Sequence, residues 1–114
     1  MSGYDITQKQ LCGMIADDIL AINPLFFNRD MLIEVVKSLD QAMFMGANLL
    51  RLANNSMTQL ILLGKLDELV ELLNKCRPKY TDDSERKLEM IIEMAQCLSN
   101  FLKLQRALLD KVSI

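Results

Sequence analysis

Two neighbouring apolar stripes run along the segment 88–112. Their members follow steps of three and four residues: the first stripe is Leu88, Ile91, Ala95, Leu98, Leu102, Gln105, Leu109 and Val112, and the second is Met90, Met94, Cys97, Phe101, Leu104 and Leu108. At about 100° per residue, the two stripes together cover roughly 150° of a helix, more than one partner helix needs. The pattern predicts a helix over 83–112 that packs against at least two neighbours.

A second regular pattern alternates steps of four and three residues. Its apolar or small members are Leu32, Val36, Leu39, Met43, Gly46, Leu50, Ala53, Met57, Leu60 and Gly64. This regularity predicts one long helix over 29–63. The alternative is a break at 54–56, where Ser56 and Gln59 match a capping box. Continuity is favoured because the pattern passes through Ala53 and Met57 in phase.

Two shorter helices complete the predicted set. The first covers 6–22 and ends before Asn23-Pro24, because the residue before proline is pushed away from the α conformation. The other covers 66–76, and Gly64 before it is expected in the left-handed conformation that follows a helix end. The residues 63–73 resemble the helix-turn-helix junction of tetratricopeptide repeats. Because no second copy follows at a fixed period, the resemblance implies one helical hairpin.

Composition supports an all-α protein of one domain, 1–114. The chain has 114 residues, of which 51% are hydrophobic, and it is rich in the helix formers Leu and Met. We therefore predict a four-helix antiparallel bundle with two long coiled-coil-like helices. The high apolar content favours an oligomer or a surface for a partner.

Net charge and cysteine content indicate which partners and which cellular compartment the sequence favours. A net charge of −2 gives no bulk attraction to nucleic acid or anionic lipid. Cys12, Cys76 and Cys97 are widely spaced and form no C-x-x-C pair, which favours reduced thiols and a cytoplasmic location. The N-terminal residues lack the pattern of a signal peptide, and no apolar run has the length of a membrane span.

The chain contains no histidine, and this excludes several common chemistries. Histidine is the usual base for Ser or Cys nucleophiles, a frequent zinc ligand and a ligand of carboxylate-bridged di-iron sites. The four glycines are scattered, so no glycine-rich phosphate loop is present. We predict no catalytic residue, no metal ligand and no cofactor. Asp18, on the apolar side of the first helix, is expected to pair with a lysine or arginine.

A metal-dependent nucleotide hydrolase is one alternative. All-α nucleotide pyrophosphatases bind Mg²⁺ through Glu-x-x-Glu on one helix and Glu-x-x-Asp on the next, and Glu68-x-x-Glu71 followed by Glu89 is similar to that arrangement. Two features oppose it. Glu68 and Glu71 lie away from the apolar face of their helix, and Glu89 is followed by Glu93 at four residues and not by Asp at three.

A nucleic-acid accessory protein is a second alternative. The segment 75–87 holds the main basic cluster, with Tyr80 inside it: Lys75, Arg77, Lys79, Arg86 and Lys87. These residues could make a few phosphate contacts. Asp82, Asp83 and Glu85 lie in the same stretch and weaken its positive field.

The preferred hypothesis is a non-enzymatic protein–protein interaction module that self-associates as a homodimer and can hold a partner helix. It depends on the two stripes of 88–112, the long pattern of 29–63 and the apolar content. The residues predicted to make the contact are apolar positions beside or within these patterns: Phe44, Met45, Met90, Met94, Phe101 and Leu104.

Overall fold

The computed structural model describes residues 7–44 and 54–112. These residues form five α-helices and no strand, so the all-α prediction is confirmed. The helices are α1 (Gln8–Ile22), α2 (Arg29–Phe44), α3 (Asn55–Leu62), α4 (Leu66–Cys76) and α5 (Asp82–Val112), with a short 3₁₀ helix (Arg77–Lys79) between the last two. The predicted count of four helices is wrong, because the second predicted helix is divided.

The prediction of one continuous helix over 29–63 fails at Asn54. This residue has an extended backbone, with φ −124° and ψ 172°, and α3 begins directly after it. Its side-chain oxygen accepts a hydrogen bond from the backbone N–H of Met57 at 2.8 Å, and its amide donates to the Ser38 hydroxyl on α2. An asparagine cap satisfies a backbone donor at a helix start. The helix α3 is therefore capped by Asn54 and not by Ser56, and the regular apolar pattern gave no indication of this break.

Antiparallel contacts join α1 and α2. Thr7 and Gln10 form a capping box at the start of α1, two residues later than predicted. Near that end, the Gln8 amide donates to an Asp40 carboxylate oxygen at 2.8 Å, and near the other end Arg29 donates to Asp17 at 2.7 Å. The two helices therefore run in opposite directions over most of their length.

The junction between α3 and α4 is a Schellman motif around Gly64. Gly64 has φ +68°, as the sequence predicts. Its N–H donates to the carbonyl of Ile61 at 2.9 Å, and the N–H of Lys65 donates to the carbonyl of Leu60 at 3.1 Å. These two bonds end α3 and direct the chain into α4. The predicted helical hairpin is wrong, because α3 packs on α2 whereas α4 packs on α5 and α1.

Two glycine substitutions provide a matched test of this backbone. Gly64→Ala is expected to lower the free energy of unfolding by about 1 kcal/mol, because L-residues are disfavoured at positive φ. A Cβ at Gly64 meets nothing within 4 Å, so the cost is in the backbone. Gly13→Ala is expected to raise the free energy of unfolding by about 0.5–1 kcal/mol, because Gly13 is inside α1 and its new Cβ would lie 3.7 Å from Arg29. Urea unfolding measures both effects, and a loss of stability in both variants would contradict this account.

The core receives residues from every helix and from the loop before α2. Phe26 in that loop is buried, and the Lys65 ammonium lies 5.4 Å from the centre of its ring. From α5 the core takes the early members of the first stripe, which are Leu88, Ile91, Ala95 and Leu98. The core thus buries the first stripe as far as Leu98, and Leu102, the next member, is half-buried against it.

Helices α4 and α5 also run antiparallel. At the start of α4, Asp67 accepts a hydrogen bond from Ser99 and lies 3.1 Å from the Lys103 ammonium. Beyond the other end of α4, Arg77 is 2.6 Å from Glu89. Because α5 has 31 residues and α4 has 11, α5 continues well past the point where α4 begins.

Candidate interaction surface

The end of α5 extends beyond the core. Every residue in 103–111 is exposed. The residues after Lys103 advance by about 13 Å past the contact with Asp67, at 1.5 Å per residue. We call 103–112 the projecting end of α5. Apolar side chains in this segment face solvent.

The second stripe of α5 is largely uncovered by its own chain. Met90 and Phe101 are each 39% exposed, Leu104 is 61% exposed and Leu108 is 55% exposed. Cys97 is exposed as well, whereas Met94 is half-buried against the core. The stripe continues from the part of α5 that lies on the helical core onto the projecting end. It forms a row of apolar side chains about 27 Å long on one side of one helix.

The structure brings together four of the predicted contact residues. Met90, Met94, Phe101 and Leu104 lie on the same side of α5, in the second stripe. The other two were predicted on the second helix. Met45 lies outside the described residues, and so does the side chain of Phe44. The candidate surface is therefore the second stripe alone.

The electrostatic character of α5 changes along its length. The segment 82–93 holds more acidic than basic residues: Asp82, Asp83, Glu85, Glu89 and Glu93 against Arg86 and Lys87. The projecting end is basic, with Lys103, Arg106 and Lys111 against Asp110. Lys103 and Arg106 lie about 140° or more around the helix axis from the centre of the second stripe, whereas Lys111 lies beside it.

Asp18 pairs with a tyrosine, so the expected lysine or arginine partner is wrong. The Tyr80 hydroxyl donates to an Asp18 carboxylate oxygen at 2.8 Å, and Tyr80 is only 3% exposed. Burial, followed by the nearby Asp18, raises the pKa of Tyr80 above its ordinary value. The same two causes raise the pKa of Cys76. This group joins α1 to the segment before α5 and is structural.

The basic cluster does not offer the aromatic surface that nucleic-acid binding would use. Tyr80 is in the core and hydrogen-bonded, so its ring cannot stack on a base. Arg77 forms an ion pair with Glu89 at 2.6 Å. The exposed members of the cluster are Lys75, Arg77, Lys79 and Arg86, and Lys87 is half-buried. The nucleic-acid alternative stays a prediction, with lysines and arginines as its remaining contacts.

The carboxylates of the hydrolase alternative are engaged separately. A Glu68 oxygen accepts from the Asn23 amide at 3.4 Å, while Glu89 pairs with Arg77. Within 7–44 and 54–112, no group of three or more Cys, Asp or Glu side chains is arranged to hold a metal ion. The hydrolase alternative also stays a prediction, and the described geometry offers it no site.

Asp40 is a buried polar residue that sequence reasoning missed. It is 1% exposed, and while one carboxylate oxygen accepts from Gln8, the other has no donor in the described part of the chain. Its burial could have been expected from its position, because Asp40 follows Val36 by four residues and Leu32 by eight and so lies on the same buried side of α2. Burial, with a smaller effect from Asp40, raises the pKa of the nearby Cys12 thiol to about 11. Cys12 is therefore a protonated, unreactive thiol at neutral pH.

Comparison with protein-family models, with curated proteins and with solved structures finds no match to this chain. In the ranges that the structure describes, no helix has both the length and the apolar character to cross a membrane. The exposed second stripe of α5 and its surroundings are the structural features that bear on function.

Proposed function

We propose that this protein is a non-enzymatic interaction module that self-associates through the second stripe of α5 as a two-fold homodimer. The observation that carries the proposal is the exposure of Phe101, Leu104 and Leu108 in one row on a helix that extends beyond its own core. A contiguous apolar row of this kind marks a protein-binding surface. Its steps of three and four residues suit packing against another helix.

Covering this apolar surface with a partner would be strongly favourable in free energy. Full burial of a Leu, Met or Phe side chain is worth about 1.5–3 kcal/mol, and the second stripe has several such side chains at least a third exposed. A helix of another protein could pack on the same row of side chains. The free thiols of all three cysteines support a reducing setting, so the proposal places the dimer in the cytosol.

The test is the solution mass of Leu104→Glu, measured by light scattering over a concentration series. The unchanged chain is expected to approach twice 13.0 kDa as concentration rises. Leu104→Glu is expected to remain monomeric, because a glutamate in the contact would lose its hydration without a partner. Circular dichroism should show a helix content close to that of the unchanged chain, since residue 104 is 61% exposed.

Ala107→Glu is the matched control. Ala107 is exposed on the projecting end and lies about 60° or more from the members of the second stripe around the helix axis. Ala107→Glu adds the same charge to the same helix as Leu104→Glu does, and we expect this control variant to dimerise like the unchanged chain. A monomeric unchanged chain at every concentration, or equal loss of dimer in both variants, would refute the proposed surface.

A further inference from the structure

We draw no further inference here: the strongest candidate, the surface patch of exposed leucines (Leu25, Leu62 and Leu63) at the end of the fold where Lys65 joins the α3–α4 junction to the loop before α2, carries none because nothing in the described part of the structure shows what covers it.

Discussion

Raising the pH from 9 to 11 is expected to lower the free energy of unfolding by at least about 2 kcal/mol, because buried groups hold protons that the unfolded chain releases. Burial raises the pKa of Cys12 from 9.0 in the unfolded chain to about 11 in the fold, which corresponds to about 2 kcal/mol of stability lost by pH 11. The raised pKa of Tyr80 adds to this loss above pH 10. The raised pKa of Cys76 acts in the same direction.

The sign follows from proton binding in the two states. Above pH 9 the unfolded chain loses the Cys12 proton while the folded chain keeps it, so the equilibrium moves toward the unfolded chain. The stability from this thiol is complete below pH 9 and lost as pH rises through about 11. The same reasoning applies to Tyr80 from pH 10 upward, since its pKa is raised in the fold.

Urea unfolding at pH 7.5, 9, 10 and 11 measures this dependence. Cys12→Ala is expected to start from a lower stability, since a buried side chain is shortened, but to lose less between pH 9 and 11 than the unchanged chain. Tyr80→Phe should flatten the fall above pH 10. Cys97→Ala changes an exposed thiol and is the control, with the pH dependence of the unchanged chain. Parallel pH curves for the unchanged chain and Cys12→Ala would refute the account.

Truncation of Leu88 to alanine is expected to lower the free energy of unfolding by about 2–5 kcal/mol. Leu88 is fully buried at the start of the first stripe, in the same core as Ile91 and Leu98. Its loss removes buried apolar surface and leaves a cavity that close-packed neighbours fill only partly. The effect should be among the largest of any single truncation of a leucine in this chain.

Leu62→Ala is the matched comparison, because it removes the same atoms from a side chain that is 79% exposed. Its expected cost is below about 0.5 kcal/mol. Thermal and urea unfolding at one protein concentration compare the two variants without a change in association. Similar costs at residues 62 and 88 would show that the assignment of the core is wrong.

Local signals account for the parts of the fold that sequence reasoning predicted well. At Gly64, one glycine between two predicted helices was enough to indicate the conformation, because a left-handed residue after a helix end is usually glycine. The spacing alone predicted that the first stripe is a packing face, and four of its members are in the core: Leu88, Ile91, Ala95 and Leu98. Both signals depend on neighbours in sequence and need no tertiary information.

The errors occurred where two local signals competed or where a partner came from far along the chain. The Asn54 side chain caps α3 by accepting a hydrogen bond from the Met57 N–H, while the apolar pattern continues in phase across Asn54. Periodicity alone does not show which of these two signals, the helix cap or the continuous apolar pattern, determines the structure. Asp18 and Tyr80 are 62 residues apart in sequence, so nothing near either residue indicates their hydrogen bond. Asp40 was missed because the apolar residues on its side of α2 are those of an ordinary amphipathic helix, in which a carboxylate is expected on the exposed side.

For the candidate surface, the sequence by itself determined that the last helix carries two apolar stripes and that the chain contains no histidine. It could not determine which stripe is covered, because periodicity gives angles around one helix axis and not the positions of other helices. The tertiary structure decided this by packing α2 and α4 against the side of α5 that carries Leu88, Ile91 and Leu98. It also placed the start of α4 beside Ser99 and Lys103, so Leu104 and Leu108 lie past the core and are exposed.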